Sequence, residues 1–544
     1  MTIDTLGLSI TAAQPTLAQH YYERGYWNEE DLWASFDAVA SRQLDRIAFV
    51  DERRTIRFDE LRQEARRFGR AARSCGLVGG DIVVIHGRNC IEAVVAMLGC
   101  WSVDLVVALV PPMFSLRNVA SILENTGSSL VVGLGEPHDM ERLRDATRAR
   151  GVEHCVVADW TVPDSGEQGW KQFLRRGIGE LPHTPGRGAD ALNLLIFSSG
   201  TTGVPKGVMH SANTARYAAR AFADLHGIEP GDVYLIVLQF GFVASSILGV
   251  LVPLLTGCTS ILQRHWSAEG MLELIGKHRA SYIFLMPTHA IDVLSSEQLN
   301  RTDCASVRRG VVAGLSEAHR QDARQRLCAT PFPMYGMSES PAHVTGAMAD
   351  GWEPLRRSEG RPLPGAEVLI RDDQGKKLSP GEKGNVLVRG PNRFLGYFRD
   401  AELSEQSLTG EGYFKTGDIG FVDAAGFMSF VSRSKDIIRR GGVTVVPSDV
   451  EAALRPHPRL SDVAVIAVPD ARLGERACAC VITRDGKGIE LEELTRFLEE
   501  QSYAPYMWPE YVYRCESFPR TPSLKVKKNE LAEEVLANLS ERER

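Results

Sequence analysis

Residues 198–207 read SSGTTGVPKG and directly follow the apolar run LNLLIF at 192–197. Four hydroxyls (Ser198, Ser199, Thr201, Thr202), three glycines (Gly200, Gly203, Gly207) and one cation (Lys206) are concentrated there. Glycines let main-chain N–H groups approach an anion, hydroxyls donate to it, and the lysine adds positive charge. A polyanionic phosphate chain needs that combination. The spacing is not G-x-x-x-x-G-K-[ST], because no G-K-[ST] closes it. On composition alone, a flexible Ser/Gly surface loop has the same description.

Such a loop must be held by regular elements. DIVVIH (81–86), LVVALV (105–110) and SLVVGL (129–134) are separated by amphipathic stretches at 90–101 and 115–126. That alternation predicts βα units and a parallel sheet covered by helices. It restarts at 192–197 and continues through YIFLMP (282–287) and RRGVVAG (308–314). A polar, Pro/Gly-rich stretch from Pro163 to Gly188 reads as a connecting loop. From Gly360 to Phe430 glycine-punctuated short strands predict a β-rich module. After Arg433 an α+β stretch follows, with VAVIAVPD (463–470), CACVITRD (478–485) and a charged helix at 490–501.

Composition excludes several classes. The chain has 544 residues, too many for one core, and a net charge of −7, which gives no overall basic field for nucleic acid or anionic lipid. No C-x-x-C pair occurs among the ten cysteines, so neither a zinc knuckle nor a dithiol redox site is expected, and a reducing cytoplasm is. The N-terminus lacks the basic and apolar regions of a signal peptide. Between Asp232 and Arg264 no residue is charged, yet Gln239, Ser245, Ser246, Pro253 and Gly257 interrupt the apolar run. It reads as strand 233–238, a buried helix near 243–255 and strand 259–262, not a membrane span.

The 198–207 string resembles the phosphate-loop signature of the adenylate-forming superfamily, which comprises acyl- and aryl-CoA ligases, adenylation domains and beetle luciferases. YGMSES (335–340), EGRPLPG (359–365), GNVLVRGPNRFLGY (384–397), GYFKTGD (412–418), SRSKDIIRRGG (432–442) and FPRTPSLKVKK (518–528) follow in the family's order. YYERGYW near the N-terminus and KDIIRRGG lean towards the stand-alone aryl-acid AMP ligases. The resemblance implies an α/β fold: a large N-terminal domain of βα subdomains plus the β-rich module, 1–433, and a small mobile α+β domain, 434–544, with a hinge near 433–435.

It also implies ATP, Mg²⁺ and coenzyme A as cofactors. Members join a carboxylate to the α-phosphate of ATP, and a thiol then displaces AMP. By that likeness Tyr335, beside Gly336, stacks on adenine. Glu339, next to Ser338 and with Thr201, holds Mg²⁺. Asp418, assisted by Arg433, binds the ribose. Lys435 is the hinge, and Lys525 faces the carboxylate and α-phosphate. Arg439, Gly441 and Gly442 line the pantetheine channel, while Lys527 and Lys528 read as a helix start.

Three departures matter. In LQFGFVASS (238–246), Gly241 stands between Phe240 and Phe242 where hydroxybenzoate ligases carry an asparagine, so a bulky apolar acid is expected beside Phe240, Gly241, Phe242, Ser245 and Gly314. Val311-Val312-Ala313-Gly314 replaces a Gly-rich adenine-side loop, and Leu524 replaces the glycine before Lys525. Both changes raise the expectation that adenylation is impaired while thioester formation from a preformed acyl-adenylate survives. The first reading is therefore a cytoplasmic acid–CoA ligase for an aromatic, alicyclic or polycyclic acid, with a homodimer admissible. A carrier-loading enzyme acting in trans and a nucleotide-binding pseudoenzyme are the alternatives; a luciferase-like oxygenase has no dedicated oxygen chemistry in its favour.

Overall fold

Alternating burial organises the strands that carry the site. In the computed structural model, Val83, Ile85, Val107, Leu109, Leu194 and Ile196 enter one core. Ile82, Val84, Val106, Ala108, Val110, Leu195 and Phe197 enter another on the opposite face of the same sheet. The structure describes residues 15–135, 137–157, 169–179, 186–198, 205–440, 443–470, 472–501, 503–520 and 526–542. Packing gathers the chain into two compact units, 1–368 with 388–414, and 369–387 with 415–544. This border marks where packing thins; the expected hinge at 433–435 is a different property, a place where torsion angles would change.

In the first unit one seven-stranded sheet runs Gly396–Tyr397, Lys206–Ser211, Leu192–Ser198, Val106–Val110, Ile82–Gly87, Leu130–Leu134, His154–Val157. Its pairings are parallel from Leu192–Ser198 to His154–Val157 and antiparallel at the other end. A second seven-stranded sheet runs Thr330–Phe332, Arg309–Val312, Tyr282–Leu285, Val233–Ile236, Thr259–Leu262, Ile47–Val50, Thr55–Arg57. Only its last pairing is antiparallel. The helix Ile91–Trp101 belongs to the core that both sheets share. Every one of its residues is buried, which accounts for a sequence apolar but for Glu92, whose Oε1 lies 3.3 Å from Arg54 Nε.

The uncharged stretch folds as strand Val233–Ile236, a helix and strand Thr259–Leu262, as its breaks predict. The helix opens with wider π-type turns at Ala244–Leu251 before Val252–Thr256, which the periodicity did not announce. No helix among the described residues is long and apolar enough to cross a membrane. One expectation needs correction. The stretch 163–188 contains a helix, Trp170–Arg176, whose Phe173 packs 5.2 Å from the Phe68 ring. Residues 163–168 and 180–185 of that stretch lie outside the described residues.

Glu367–Arg371, Gly384–Arg389, Phe414–Val422 and Met428–Arg433, which fall mostly within the second unit, form a four-stranded sheet, so the β-rich texture is real. The long hairpin Leu460–Asp470/Gly474–Thr483 centres a five-stranded sheet, and it too buries both faces alternately.

Candidate functional site

The phosphate-loop string closes a β-hairpin. Ser198 pairs with Lys206 at the end of an antiparallel ladder. The Ser198 side chain and Ser199, Gly200, Thr201, Thr202 and Gly203 lie outside the described residues. Lys206, at the other foot of the loop, has its Nζ 5.7 Å from the centre of the Tyr397 ring. Tyr397 is there because Gly396–Tyr397 adds an antiparallel strand to Lys206–Ser211, opposite Met209 and Val208. Its hydroxyl donates to Glu339 Oε1 at 2.7 Å.

Glu339 reaches that point through a tight hairpin. Met337 pairs with Ser340, so Ser338 and Glu339 are the two turn residues between Met334–Met337 and Ser340–Thr345. The Phe394 N–H donates to the Glu339 carbonyl at 2.8 Å. His210 braces the turn from the loop's own strand: its Nε2 donates to the Ser338 carbonyl at 2.8 Å, with Thr214 Oγ1 3.2 Å from Nδ1. Because the first partner is an acceptor only, Nε2 carries the proton. Burial pushes the His210 pKa down to about 4 and keeps the ring neutral. Tyr335 is buried and Gly336 exposed in the same hairpin, where a side chain on Gly336 would stand 2.7 Å from the Ala342 nitrogen.

Burial, and after it the neighbouring Glu339 carboxylate, holds the Tyr397 phenol well above its ordinary pKa. It is therefore a donor, and Glu339 an acceptor. One carboxylate completed by substrate phosphates is a ligand set that magnesium uses, since Mg²⁺ keeps much of its shell for water and phosphate oxygen. Glu339 fits that group; Thr201 lies outside the described residues.

The second unit, taken by itself, holds a preformed ion pair. Asp418 and Arg433 stand opposite each other on neighbouring strands, with Arg433 Nε 2.8 Å from Asp418 Oδ1. The Asp418 side chain is 2% exposed and that of Arg433 44%. Lys435 lies in the short turn Ser434–Asp436, and Arg439 in strand Ile438–Arg440 opposite Thr444. Their side chains, and Gly441, Gly442, Leu524 and Lys525, lie outside the described residues. Lys528 opens the helix Lys528–Arg542 with its Nζ 2.6 Å from Glu451, and Lys527 sits 2.7 Å from Glu530. A helix start is thus what both supply.

Two of the three departures can be placed. Gly241 has φ +102°, and a Cβ there would meet the Pro111 nitrogen at 2.6 Å and its ring at 2.7 Å. Pro111, not empty space, occupies the room an asparagine side chain would need. Ser245 Oγ donates to the Leu238 carbonyl at 2.8 Å. Phe240 is buried, Phe242 half-buried, and Gly314 has φ +61° beside Pro287. Val311 and Val312 do not lie in a loop: they end the strand Arg309–Val312, fully buried opposite Phe284 and Leu285. β-Branched side chains fit that environment, so their bulk is absorbed by the core.

Sequence reasoning missed Asn89 and His210 and quoted Tyr397 without a role. Asn89 follows strand Ile82–Gly87 and is fully buried. It donates to the carbonyls of Leu238 (2.9 Å) and Gln263 (3.1 Å) and accepts from the Phe240 N–H (2.7 Å). Its only sequence signal is a polar residue interrupting a buried strand–helix joint.

The arrangement agrees with what the chain is similar to. The AMP-binding enzyme model matches residues 36–398, and the AMP-binding enzyme C-terminal domain model residues 449–525. The medium-chain fatty-acid–CoA ligase of Escherichia coli is 26% identical over 532 residues, covering 96% of this chain and 93% of that protein. The salicyl-AMP ligase / salicyl-S-ArCP synthetase of Mycobacterium tuberculosis is 29% identical over 538 residues, covering 95% and 93%. ATP-bound MatB from Rhodopseudomonas palustris shares the fold with a TM-score of 0.83 at 24% identity, covering 93% and 99%. With two family models spanning a phosphate-loop hairpin, a carboxylate turn and a distinct C-terminal unit, the chain belongs to the AMP-binding enzyme family, the adenylate-forming ligases.

Proposed function

We propose that the protein is a cytoplasmic AMP-forming acid–CoA ligase acting on a bulky hydrophobic carboxylic acid, aromatic, alicyclic or polycyclic. The observation that carries the reading is the convergence of Lys206, Tyr397 and Glu339 at the foot of the phosphate-loop hairpin. First, a carboxylate oxygen of the acid attacks the α-phosphorus of ATP, and the bond to pyrophosphate breaks. Then the CoA thiolate attacks the adenylate carbonyl, and AMP leaves with the C–O bonding pair. Catalysis of this kind is mostly positioning and charge neutralisation.

In this reading Lys206 and the 198–203 loop bind phosphates. Glu339 and Thr201 hold Mg²⁺, which neutralises phosphate charge. Tyr335 stacks on adenine, with Gly336 beside it, and Asp418, paired with Arg433, accepts from the ribose hydroxyls. Lys525 meets the carboxylate and α-phosphate, Lys435 turns the chain between steps, and Arg439, Gly441 and Gly442 flank the pantetheine. Phe240, Gly241, Phe242 and Gly314 bound the acid; Ser245, its hydroxyl already given to Leu238, offers only a wall.

The test supplies ATP, Mg²⁺, CoA and a panel of such acids, following pyrophosphate release and thioester. Acid-dependent pyrophosphate with acyl-CoA is expected; no release with any acid, and no thioester from synthetic acyl-adenylates, overturns the reading. A phosphopantetheinylated carrier in place of CoA separates the carrier-loading alternative. With the two valines housed in a strand, impaired adenylation rests on Leu524. Leu524→Gly is expected to raise pyrophosphate release roughly threefold to tenfold, the equivalent of relieving about 1 kcal/mol of backbone strain. Equal rates before and after remove that idea.

A further inference from the structure

We propose that Tyr397 is a positioning residue that holds Glu339 for the metal–nucleotide and keeps it from being neutralised by Lys206. The proposal rests on the reading of Glu339 as a magnesium ligand and adds a residue to it.

Tyr397 meets two opposite charges. Its hydroxyl donates to Glu339 Oε1 at 2.7 Å, and the Lys206 ammonium stands 5.7 Å from its ring centre. Neither Lys206 nor Glu339 forms an ion pair among the described residues. Lysine and glutamate at neighbouring sites ordinarily collapse together, because each side chain has several free torsions and the attraction rises steeply as water leaves. A flat ring rooted in a buried strand prevents the collapse. Tyr397 is 7% exposed, its N–H donates to Ser404 Oγ at 2.8 Å, and its ring meets that of Phe394 edge-on at 5.0 Å. The ring cannot swing away without losing the Phe394 contact and the bond to Glu339.

The hydrogen bond also selects which carboxylate oxygen is free. With Oε1 engaged by Tyr397 and the turn fixed at Ser338 by His210, Oε2 is the oxygen left to a cation. A carboxylate fixed by a neighbouring donor loses less freedom on binding a cation. The lysine, meanwhile, keeps its charge for phosphate.

The two functions of the ring separate by substitution. Tyr397→Phe keeps the spacer and removes the donor; Tyr397→Leu removes the hydroxyl and the aromatic face. In the full-length protein, Mn²⁺ binding in the presence of ATP is measured by electron paramagnetic resonance, and ATP binding without metal by calorimetry. For Tyr397→Phe the affinity for Mn²⁺ is expected to fall roughly tenfold while metal-free ATP binding is unchanged. For Tyr397→Leu both fall, because Lys206 and Glu339 then pair with each other. In turnover Tyr397→Phe raises the Mg²⁺ concentration needed for half-maximal pyrophosphate release, and excess Mg²⁺ restores the rate. Thioester formation from a preformed adenylate keeps its rate. Unchanged Mn²⁺ affinity in Tyr397→Phe overturns the proposal, as does a loss that excess metal does not restore. Should the unsubstituted protein bind Mn²⁺ no better with ATP than without, the magnesium reading of Glu339 itself is at fault.

Discussion

The two charged regions handle opposite charges in opposite ways. In the first unit Lys206 and Glu339 each contact the Tyr397 side chain, one at its ring and one at its hydroxyl, and neither has an ionic partner among the described residues. In the second unit Asp418 and Arg433 are joined directly across a strand ladder at 2.8 Å. A separated pair keeps both charges for ligands and is stabilised by its scaffold. A joined pair settles its own electrostatics and presents what remains, here the more exposed guanidinium and the outer face of a buried carboxylate. Under the proposed function, the first design would make ligand binding sensitive to a single hydrogen bond, and the second to the loss of either partner.

The largest expected effect tests the separated pair. Glu339→Gln keeps the Tyr397 hydrogen bond but removes the negative charge. Pyrophosphate release with acid and ATP is expected to fall on the order of 100-fold to 1,000-fold, the range for losing one electrostatic stabiliser. A loss smaller than fivefold would deny Glu339 a place in the chemistry. Next comes the joined pair. Arg433→Ala leaves the buried Asp418 carboxylate without its cation, so KM for ATP is expected to rise roughly tenfold or more while kcat changes less. If instead kcat falls and KM holds, Arg433 acts on the transition state and the two regions are more alike than their geometry indicates.

A smaller effect concerns the turn at Gly241. Gly241→Ala places a Cβ against Pro111 at a φ that L-residues rarely adopt. Urea unfolding is expected to show a loss of about 1–3 kcal/mol; no loss would mean the turn relaxes freely. The smallest effect at neutral pH, and a growing one in acid, comes from buried histidines. Burial lowers His210 and His343 to about 4 and His226 to about 3. The unfolded chain takes up these protons near pH 6.5, before the folded one does. Stability is therefore full above about 6.5 and falls as the pH drops towards 4, which unfolding midpoints at pH 7.0, 5.5 and 4.5 would register.

Much of this was legible beforehand. Strands at 82–87, 106–110 and 192–198 were readable from apolar runs bounded by glycines and acids, because burial on both faces leaves no polar alternation to confuse them. The family motifs pointed to Lys206, Glu339, Asp418 and Arg433 by type and order. Other features were hidden for physical reasons. Val311 and Val312 were assigned to a loop by analogy with glycines elsewhere, although two β-branched residues are at home in a strand. Trp170–Arg176 is too short for a helical period to stand out from its Pro/Gly-rich surroundings. Tyr397 looked like the end of a strand, since its importance lies in what is 2.7 Å from its hydroxyl, and no one-dimensional pattern encodes that distance.

Asn89 has a wider consequence. All three of its bonds at the floor of the acid-side turn are to main-chain atoms, of Leu238, Phe240 and Gln263. The hold is therefore indifferent to which side chains those positions carry. Residues 238–240 can change in size and shape over evolutionary time without loosening the backbone that presents them. One amide thus fixes the main chain of this turn whatever side chains it carries, and under the proposed function the same amide would hold the wall of the acid pocket.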